Sequence, residues 1–180
     1  MASLCVFLGL VTLSHAYENV ALNKPAYQLH PYNTEEQYDA SNGVDGLKTN
    51  FSNFGGQCVL SANNKYTATW WVNLTSIYNI YNITIFYRTD NVPWQPTNGY
   101  RARFLGFSLY VSNTTDRLDG KLCFKDTNFN LTTIPPIFNT TCLLRGQYVI
   151  YYNERKGVGE NPIGYDPYAF NELCEVEVFG

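Results

Sequence analysis

Asn82-Ile83-Thr84-Ile85-Phe86-Tyr87 alternates strictly: Ile83, Ile85 and Tyr87 fall on one face, and Asn82, Thr84 and Phe86 on the other. A period of two puts successive side chains on opposite faces of a sheet, so this stretch reads as a half-buried strand. The same pattern returns in Phe107, Leu109 and Val111 against Ser108, Tyr110 and Ser112. It returns again near the end, with Cys174, Val176 and Val178 against Glu175, Glu177 and Phe179. Ala68 to Leu74 and Gln147 to Asn153 are further strand candidates. Between them lie turn-forming stretches: Asn42-Gly43, Asp45-Gly46, Gly55-Gly56, Asn98-Gly99, Asp119-Gly120, Pro135-Pro136 and Gly157 to Pro167. Helical periodicity is confined to a turn around Glu35 to Tyr38. Short strands separated by long polar loops predict an all-β chain, a β-sandwich of the jelly-roll kind. No repeat, low-complexity tract or linker divides it.

The first residues read differently. Leu4 through Leu13 form an apolar run the length of a signal-peptide core, and Ser14-His15-Ala16 follows as a small-residue cleavage site. Residues 1–16 are therefore expected to be a signal peptide and 17–180 the domain, secreted to the cell exterior. The run is too short to span a bilayer, and no later segment approaches the roughly 20 apolar residues that a spanning helix needs. About 160 residues remain, enough for one domain with a sizeable core.

Export changes the reading of the cysteines and asparagines. Of five cysteines, Cys5 leaves with the signal. Cys58, Cys123, Cys142 and Cys174 then read as two disulfides, with three pairings open. Asn50, Asn73, Asn82, Asn113, Asn130 and Asn139 each begin an Asn-x-Ser/Thr glycosylation motif. Asn113 and Asn139 are the best loop candidates, whereas Asn73 and Asn82 lie within strand patterns.

Charged residues make up 15% of the chain and the net charge is −3. That balance offers no electrostatic reason to bind nucleic acid or an anionic membrane. Aromatics at 16%, with 15 tyrosines, favour strands and contact surfaces. Beyond the signal the only histidine is His30, which removes most Ser/His and Cys/His nucleophile arrangements. No His-x-x-x-His or thiolate cluster points to zinc. Glu35-Glu36 and Glu175/Glu177 read as a polar turn and a strand's outer face. The expectation is that the protein is not an enzyme.

An ordered set of motifs then carries a resemblance. Asn19-Val20-Ala21-Leu22-Asn23-Lys24-Pro25-Ala26 is followed by Asn42-Gly43-Val44-Asp45-Gly46, Trp70-Trp71-Val72-Asn73-Leu74 and Arg88-Thr89-Asp90. Cys174-Glu175-Val176-Glu177-Val178-Phe179-Gly180 closes the series. In that order they resemble the fucolectin (F-type lectin) branch of the discoidin-like, galactose-binding-domain superfamily, from Asn19 to Gly180.

The resemblance implies an eight-stranded jelly roll with a shallow sugar site in the loops at one end. The family holds fucose with a His and two Arg, the first Arg within an R-x-D motif that Arg88-Thr89-Asp90 matches. A guanidinium fork suits neighbouring hydroxyls, and a carboxylate orients the fork. This chain departs from the pattern elsewhere, so the sugar site is degenerate. Ser61 stands where the family has its His, and Gln95 where it has the second Arg. Arg103, or alternatively Arg101, takes that Arg's place if Asn91 to Ala102 is an inserted loop. The family's adjacent cysteine pair would fall near Asn91-Val92 and is absent, leaving Trp94 to supply the apolar face.

The resemblance also implies a structural calcium ion, with Asp45 and Glu175 as carboxylate ligands and Asn42 and Cys174 as carbonyl donors. It implies the disulfide pairs Cys58–Cys174 and Cys123–Cys142. Two functions follow. The first is a secreted carbohydrate-recognition module that binds a glycan or cell-surface glycoprotein through Arg88, Asp90, Arg103 and Trp94. The alternative is an extracellular adhesion or receptor-recognition domain of the same fold that binds protein or lipid.

Overall fold

The computed structural model describes residues 17–157 and 159–180. The expected signal peptide, with Cys5, lies outside the described residues. Six strands form the sheet: β1 (Ala26–Gln28), β2 (Thr67–Tyr87), β3 (Ser108–Ser112), β4 (Lys121–Lys125), β5 (Ile137–Glu154) and β6 (Leu173–Phe179). One short helix, α1 (Tyr100–Phe104), precedes β3. All pairings are antiparallel, in the order β1-β2-β5-β3-β4, with β6 on the free side of β2.

Six strands make eight arms because β2 and β5 are each long enough to serve twice. Their shared register breaks between Asn73 and Tyr78 and again between Ile80 and Asn82. Thr75 sits at the first break with φ 68°, and its N–H is held by the Asn73 side chain at 2.8 Å. Opposite it, a Cβ on Gly146 would lie 2.6 Å from Val111 Cγ1, so a larger residue would force the strands apart at this corner. Before the bend, β2 pairs with β1 and with the end of β5, which continues to β3 and β4. After it, β2 pairs with β6 and the start of β5. The sheet thus folds into a five-stranded and a three-stranded half, the sandwich expected for this class.

One core joins the halves. Trp70, Val72, Leu109, Val111, Val149 and Tyr151 of the first meet Ile83, Ile85, Tyr87, Val176 and Val178 of the second. Tyr87, Phe104 and Phe107 stack in series, with ring centroids 4.1 and 4.4 Å apart. Two of the buried aromatics keep their polar ends satisfied: Trp70 Nε1 donates to the Ala40 carbonyl at 2.9 Å, and the Tyr151 hydroxyl to the Phe170 carbonyl at 3.2 Å.

The long loop between β1 and β2 has three single 3₁₀ turns (Glu36–Tyr38, Ala40–Gly43 and Asn53–Gly55) and adds Ala40, Val44 and Val59 to this core. It is fastened by the Cys58–Cys174 disulfide, around which Tyr38 and Leu60 form a second, small apolar cluster. The sequence alternation places Cys174 with Val176 on the core face. The structure instead shifts register between Phe86 and Tyr87, which pair with Glu175 and Leu173 and leave Cys174 unpaired. This bulge turns Cys174 out towards Cys58. A second disulfide, Cys123–Cys142, ties β4 to β5. No helix among the described residues is long and apolar enough to cross a membrane.

Candidate functional site

β2 ends at Tyr87 and delivers Arg88-Thr89-Asp90 to the loop end of the sandwich. Asp90 and Asn91 both take left-handed backbone angles, with φ 55° at each, which folds the Asp90 side chain back towards Arg88. Arg88 Nε then donates to Asp90 Oδ1 at 2.6 Å and Nη2 to Asp90 Oδ2 at 3.1 Å, a two-pronged pair. Its Nη1 reaches Glu172 Oε1 at 2.7 Å.

Residues 91–99 lead into α1, which carries the other half of the cluster. Tyr100 and Arg103 are three apart, so they share one helix face. The Tyr100 hydroxyl donates to Asp90 Oδ2 at 2.5 Å and accepts from Arg88 Nη2 at 2.9 Å. Arg103 Nη1 donates to the same Glu172 oxygen at 2.8 Å, and its Nε lies 3.7 Å from Asp166 Oδ2. The guanidinium carbons of Arg88 and Arg103 stand 4.3 and 5.1 Å from the centre of the Tyr100 ring. Two arginines from separate segments thus converge on one buried carboxylate.

The electrostatics follow from burial and pairing. Burial opposes the Arg88 charge, but Asp90 and Glu172 more than offset it and hold its pKa above the ordinary arginine value. Burial also works against the Asp90 charge, yet hydrogen bonds from Arg88 and Tyr100 hold its carboxyl below the usual range. Burial pushes the Glu172 carboxyl up, with Arg103 and Arg88 pulling against that rise. Glu172 Oε2 and the Tyr87 hydroxyl are both buried without a hydrogen-bond partner.

Arg88 is spent, because each of its three nitrogens already donates and the residue is only 6% exposed. The Arg103 side chain is 27% exposed, and its Nη2 has no partner among the described residues. Arg103 is therefore the guanidinium that can meet a ligand.

Two expected residues turn elsewhere. Trp94 folds back onto the domain: its Nε1 donates to the Ile134 carbonyl at 2.7 Å and its ring packs against Tyr87. It makes no contact with the arginine pair, and Tyr100 provides the aromatic surface instead. Arg101 is buried beneath Trp94, donating to the Trp94 and Ile134 carbonyls at 2.6 and 3.2 Å. Of the two candidate second arginines, Arg103 is the one beside Arg88. Ser61 accepts the Asn171 N–H at 3.1 Å, one residue before Glu172, so that position borders the cluster without a side chain long enough to enter it.

A second set of residues comes together beside β6. Glu175 is fully buried on the side away from the main core. Its Oε2 accepts the Gly46 N–H at 3.1 Å, while Oε1 has no partner. Burial first, and the neighbouring Asp45 and Glu177 charges next, push its carboxyl up to about 7. Burial also raises Asp45, against the pull of the Leu47 N–H. The Asn42 side-chain NH2 donates to the Glu36 carbonyl at 3.1 Å, so its Oδ1 and its backbone carbonyl are the oxygens left for a metal. No cluster of three or more His, Cys, Asp or Glu occurs among the described residues. An orphaned carboxylate oxygen beside a second carboxylate fits a hard cation whose remaining ligands are carbonyls and water.

Among the glycosylation motifs, Asn113, Asn130 and Asn139 are exposed and Asn50, Asn73 and Asn82 half-buried. The Asn82 and Asn139 amides hydrogen-bond each other across β2 and β5.

Neither a family model nor a curated protein matches the sequence. Solved structures do match. A fucolectin from striped bass (Morone saxatilis) serum superposes with a TM-score of 0.68 at 23% identity, over 92% of this chain and 50% of that one. The chain thus spans about half the length of that lectin. A fucose-binding module of Streptococcus pneumoniae gives 0.62 at 17% identity, over 91% and 98%. A chitosan-binding module from a Paenibacillus chitosanase/glucanase, solved with chitotriose, gives 0.61 at 19% identity, over 90% and 100%. The fold is the β-sandwich of these fucolectin and carbohydrate-binding modules.

Proposed function

We propose that the protein is an extracellular, non-catalytic carbohydrate-recognition module whose loop-end site, centred on Arg103, binds a fucosylated or related glycan on a cell-surface glycoprotein. The observation that carries this reading is the convergence of Arg88 and Arg103 on Glu172 over the Tyr100 ring. Asp90 and Glu172 fix Arg88, Glu172 holds Arg103, and the exposed edge of Arg103 presents donors for sugar hydroxyls. The structural neighbours that bind fucose or chitotriose support it by sharing the fold.

Affinity for one sugar is expected to be low. Ser61 supplies no imidazole, and a missing hydrogen bond to a charged group costs about 1.5–3 kcal/mol, roughly ten- to hundredfold in affinity. Binding then depends on multivalent display. Surface-immobilised fucosylated polymer should retain the wild-type protein, and Arg103→Ala, assayed well below its own lowered melting temperature, should reduce retention about tenfold. Equal retention of the two proteins, or none of either, would favour the protein-recognition alternative, which the spent donors of Arg88 and the inward turn of Trp94 also support.

The fold also fits a structural calcium ion held by Asp45, Glu175 and the carbonyls of Asn42 and Cys174. The ion would neutralise the buried Glu175 carboxylate and the half-buried Asp45, and tie the long loop to β6. A ligand bound by the native state alone raises the melting temperature. Without calcium, the Glu175 carboxyl has a folded pKa of about 7 against an ordinary 4.5, so the folded state holds its proton more tightly. Stability in chelator therefore falls as pH rises across that window. The calcium increment in melting temperature should be larger at pH 8 than at pH 5, and Glu175→Gln should abolish it. A chelator-insensitive transition at pH 8 would remove calcium from the description.

A further inference from the structure

A second cleft, of about 500 Å³, lies on the outer face of the five-stranded half and shares no residue with the Arg88–Arg103 cluster. Sheet register puts Trp71 beside Tyr27 and Thr69 beside Tyr152. The rings of Trp71 and Tyr27 stack with centroids 5.8 Å apart. Trp71 thereby gives the cleft an aromatic floor, with the mostly buried Tyr152 beside it, and the cleft is also lined by Thr67 and Thr69, whose hydroxyls make no side-chain hydrogen bond among the described residues.

The opposite wall is the loop after β3, and it is held rigidly. Ser112 Oγ donates to the Asp116 carbonyl at 3.1 Å, Thr114 Oγ1 to Asp119 Oδ2 at 2.8 Å, and the Gly120 N–H to the Arg117 carbonyl at 3.1 Å. A Cβ on Gly120 would fall 2.7 Å from the Val111 carbonyl oxygen, so only glycine lets the loop close onto the strand. This loop sets the Arg117 guanidinium 4.0 Å above the Tyr152 ring. Arg117 has no carboxylate or backbone-carbonyl partner among the described residues, and Asp116 beside it spends only Oδ1, on the Leu118 N–H.

We infer that this cleft is a carbohydrate site of its own, taking a pyranose ring of a neutral oligosaccharide. A sugar ring presents a C–H face and an edge of hydroxyls, and the cleft offers the Trp71 indole, a forked donor that Tyr152 supports from below, a carboxylate acceptor and two free hydroxyls. Asp116 next to Arg117 gives the rim both signs of charge, which disfavours an acidic sugar. β2 and β5 beneath the cleft are internal strands, so no backbone edge is free for an added peptide strand.

The protein, enzymatically stripped of N-glycans because Asn113 lies on the same loop, is applied to an array of neutral and acidic oligosaccharides. At least one neutral glycan should bind, and intrinsic tryptophan fluorescence should shift as that glycan is titrated. Trp71→Ala and Arg117→Ala should each weaken it about tenfold or more, and Arg103→Ala should not. Arg117→Lys, which keeps the charge but loses the fork, should also weaken binding, and it decides the matter if Trp71→Ala fails to melt cooperatively. If every glycan whose binding survives Arg103→Ala also survives Arg117→Ala and Arg117→Lys, if binding is confined to acidic glycans, or if no glycan on the array binds, the inference is overturned. Loss through Arg103→Ala alone would assign the ligand to the loop-end site instead.

Discussion

Glu172→Ala is expected to destabilise the protein by about 3–5 kcal/mol, because removing one member of a buried ionic cluster leaves the remaining charges uncompensated. Glu172 is 2% exposed, and one of its oxygens accepts from both Arg88 and Arg103, at 2.7 and 2.8 Å. Without it, Arg88 keeps Asp90, but Arg103 keeps only the distant Asp166 as a carboxylate partner, besides the Tyr100 and Phe170 rings. Asp90 pairs sit nearer solvent and are worth less than the buried contact. For a domain of this size each kcal/mol moves the melting temperature by about 2–4 °C, so the transition should drop by about 10 °C. Glu172→Gln retains the shape and one acceptor, and should fall between wild type and the alanine variant. A melting temperature for Glu172→Ala within 2–3 °C of wild type, on the scale of a surface pair, would show that solvent already screens the cluster.

The strands were legible because the apolar set of each alternation is buried, Ile83, Ile85, Tyr87, Leu109, Val111, Val176 and Val178 among it, although Ser108, Ser112 and Glu175 of the opposite sets are buried as well. The length of β2 was not. Thr75-Ser76-Ile77 carries no glycine or proline, so nothing in its composition shows that one strand turns a corner and serves both halves. Arg88 and Asp90 were legible as a pair because two residues of separation at a strand end brings them together. Trp94 and Arg101 were misplaced for one shared reason. A tryptophan and an arginine in a loop look available to a ligand, whereas here each satisfies a buried carbonyl and stacks on the other, with the Arg101 guanidinium 5.3 Å from the Trp94 ring. Glu172 and Tyr100 were missed. The signal for Glu172 was present: it is the one charge in Ala169-Phe170-Asn171-Glu172-Leu173-Cys174. A carboxylate within a run bound for the core has to find cations there. Tyr100 had a weaker signal, its three-residue spacing from Arg103, which matters only once α1 is known to be helical.

Replacing Cys58 and Cys174 together by alanine is expected to cost more than replacing Cys123 and Cys142. The first bond spans 116 residues of sequence and the second 19. Loop-closure entropy assigns these roughly 5 and 3 kcal/mol, lost when the unfolded chain regains its freedom. Local structure adds to the difference. The segment from His30 to Ser61 has no strand of its own; it gives the main core only Ala40, Val44 and Val59, and around the disulfide it buries the small cluster of Tyr38, Cys58 and Leu60 with Cys174. Cys123–Cys142 instead links two strands already paired through β3 to the main sheet, so the ladder survives its loss. The Cys58/Cys174 variant should therefore melt about 10–20 °C lower, and protease should cut first between residues 30 and 61. It should also lose its calcium response, since Asp45 is on the released loop and Glu175 on the strand that the bond grips. The Cys123/Cys142 variant should lose less and keep that response. Equal losses from the two variants would mean that the long loop is held by its own hydrogen bonds, among them Trp70 to Ala40 and Gly46 to Glu175, and that the covalent tie is redundant once the domain has folded.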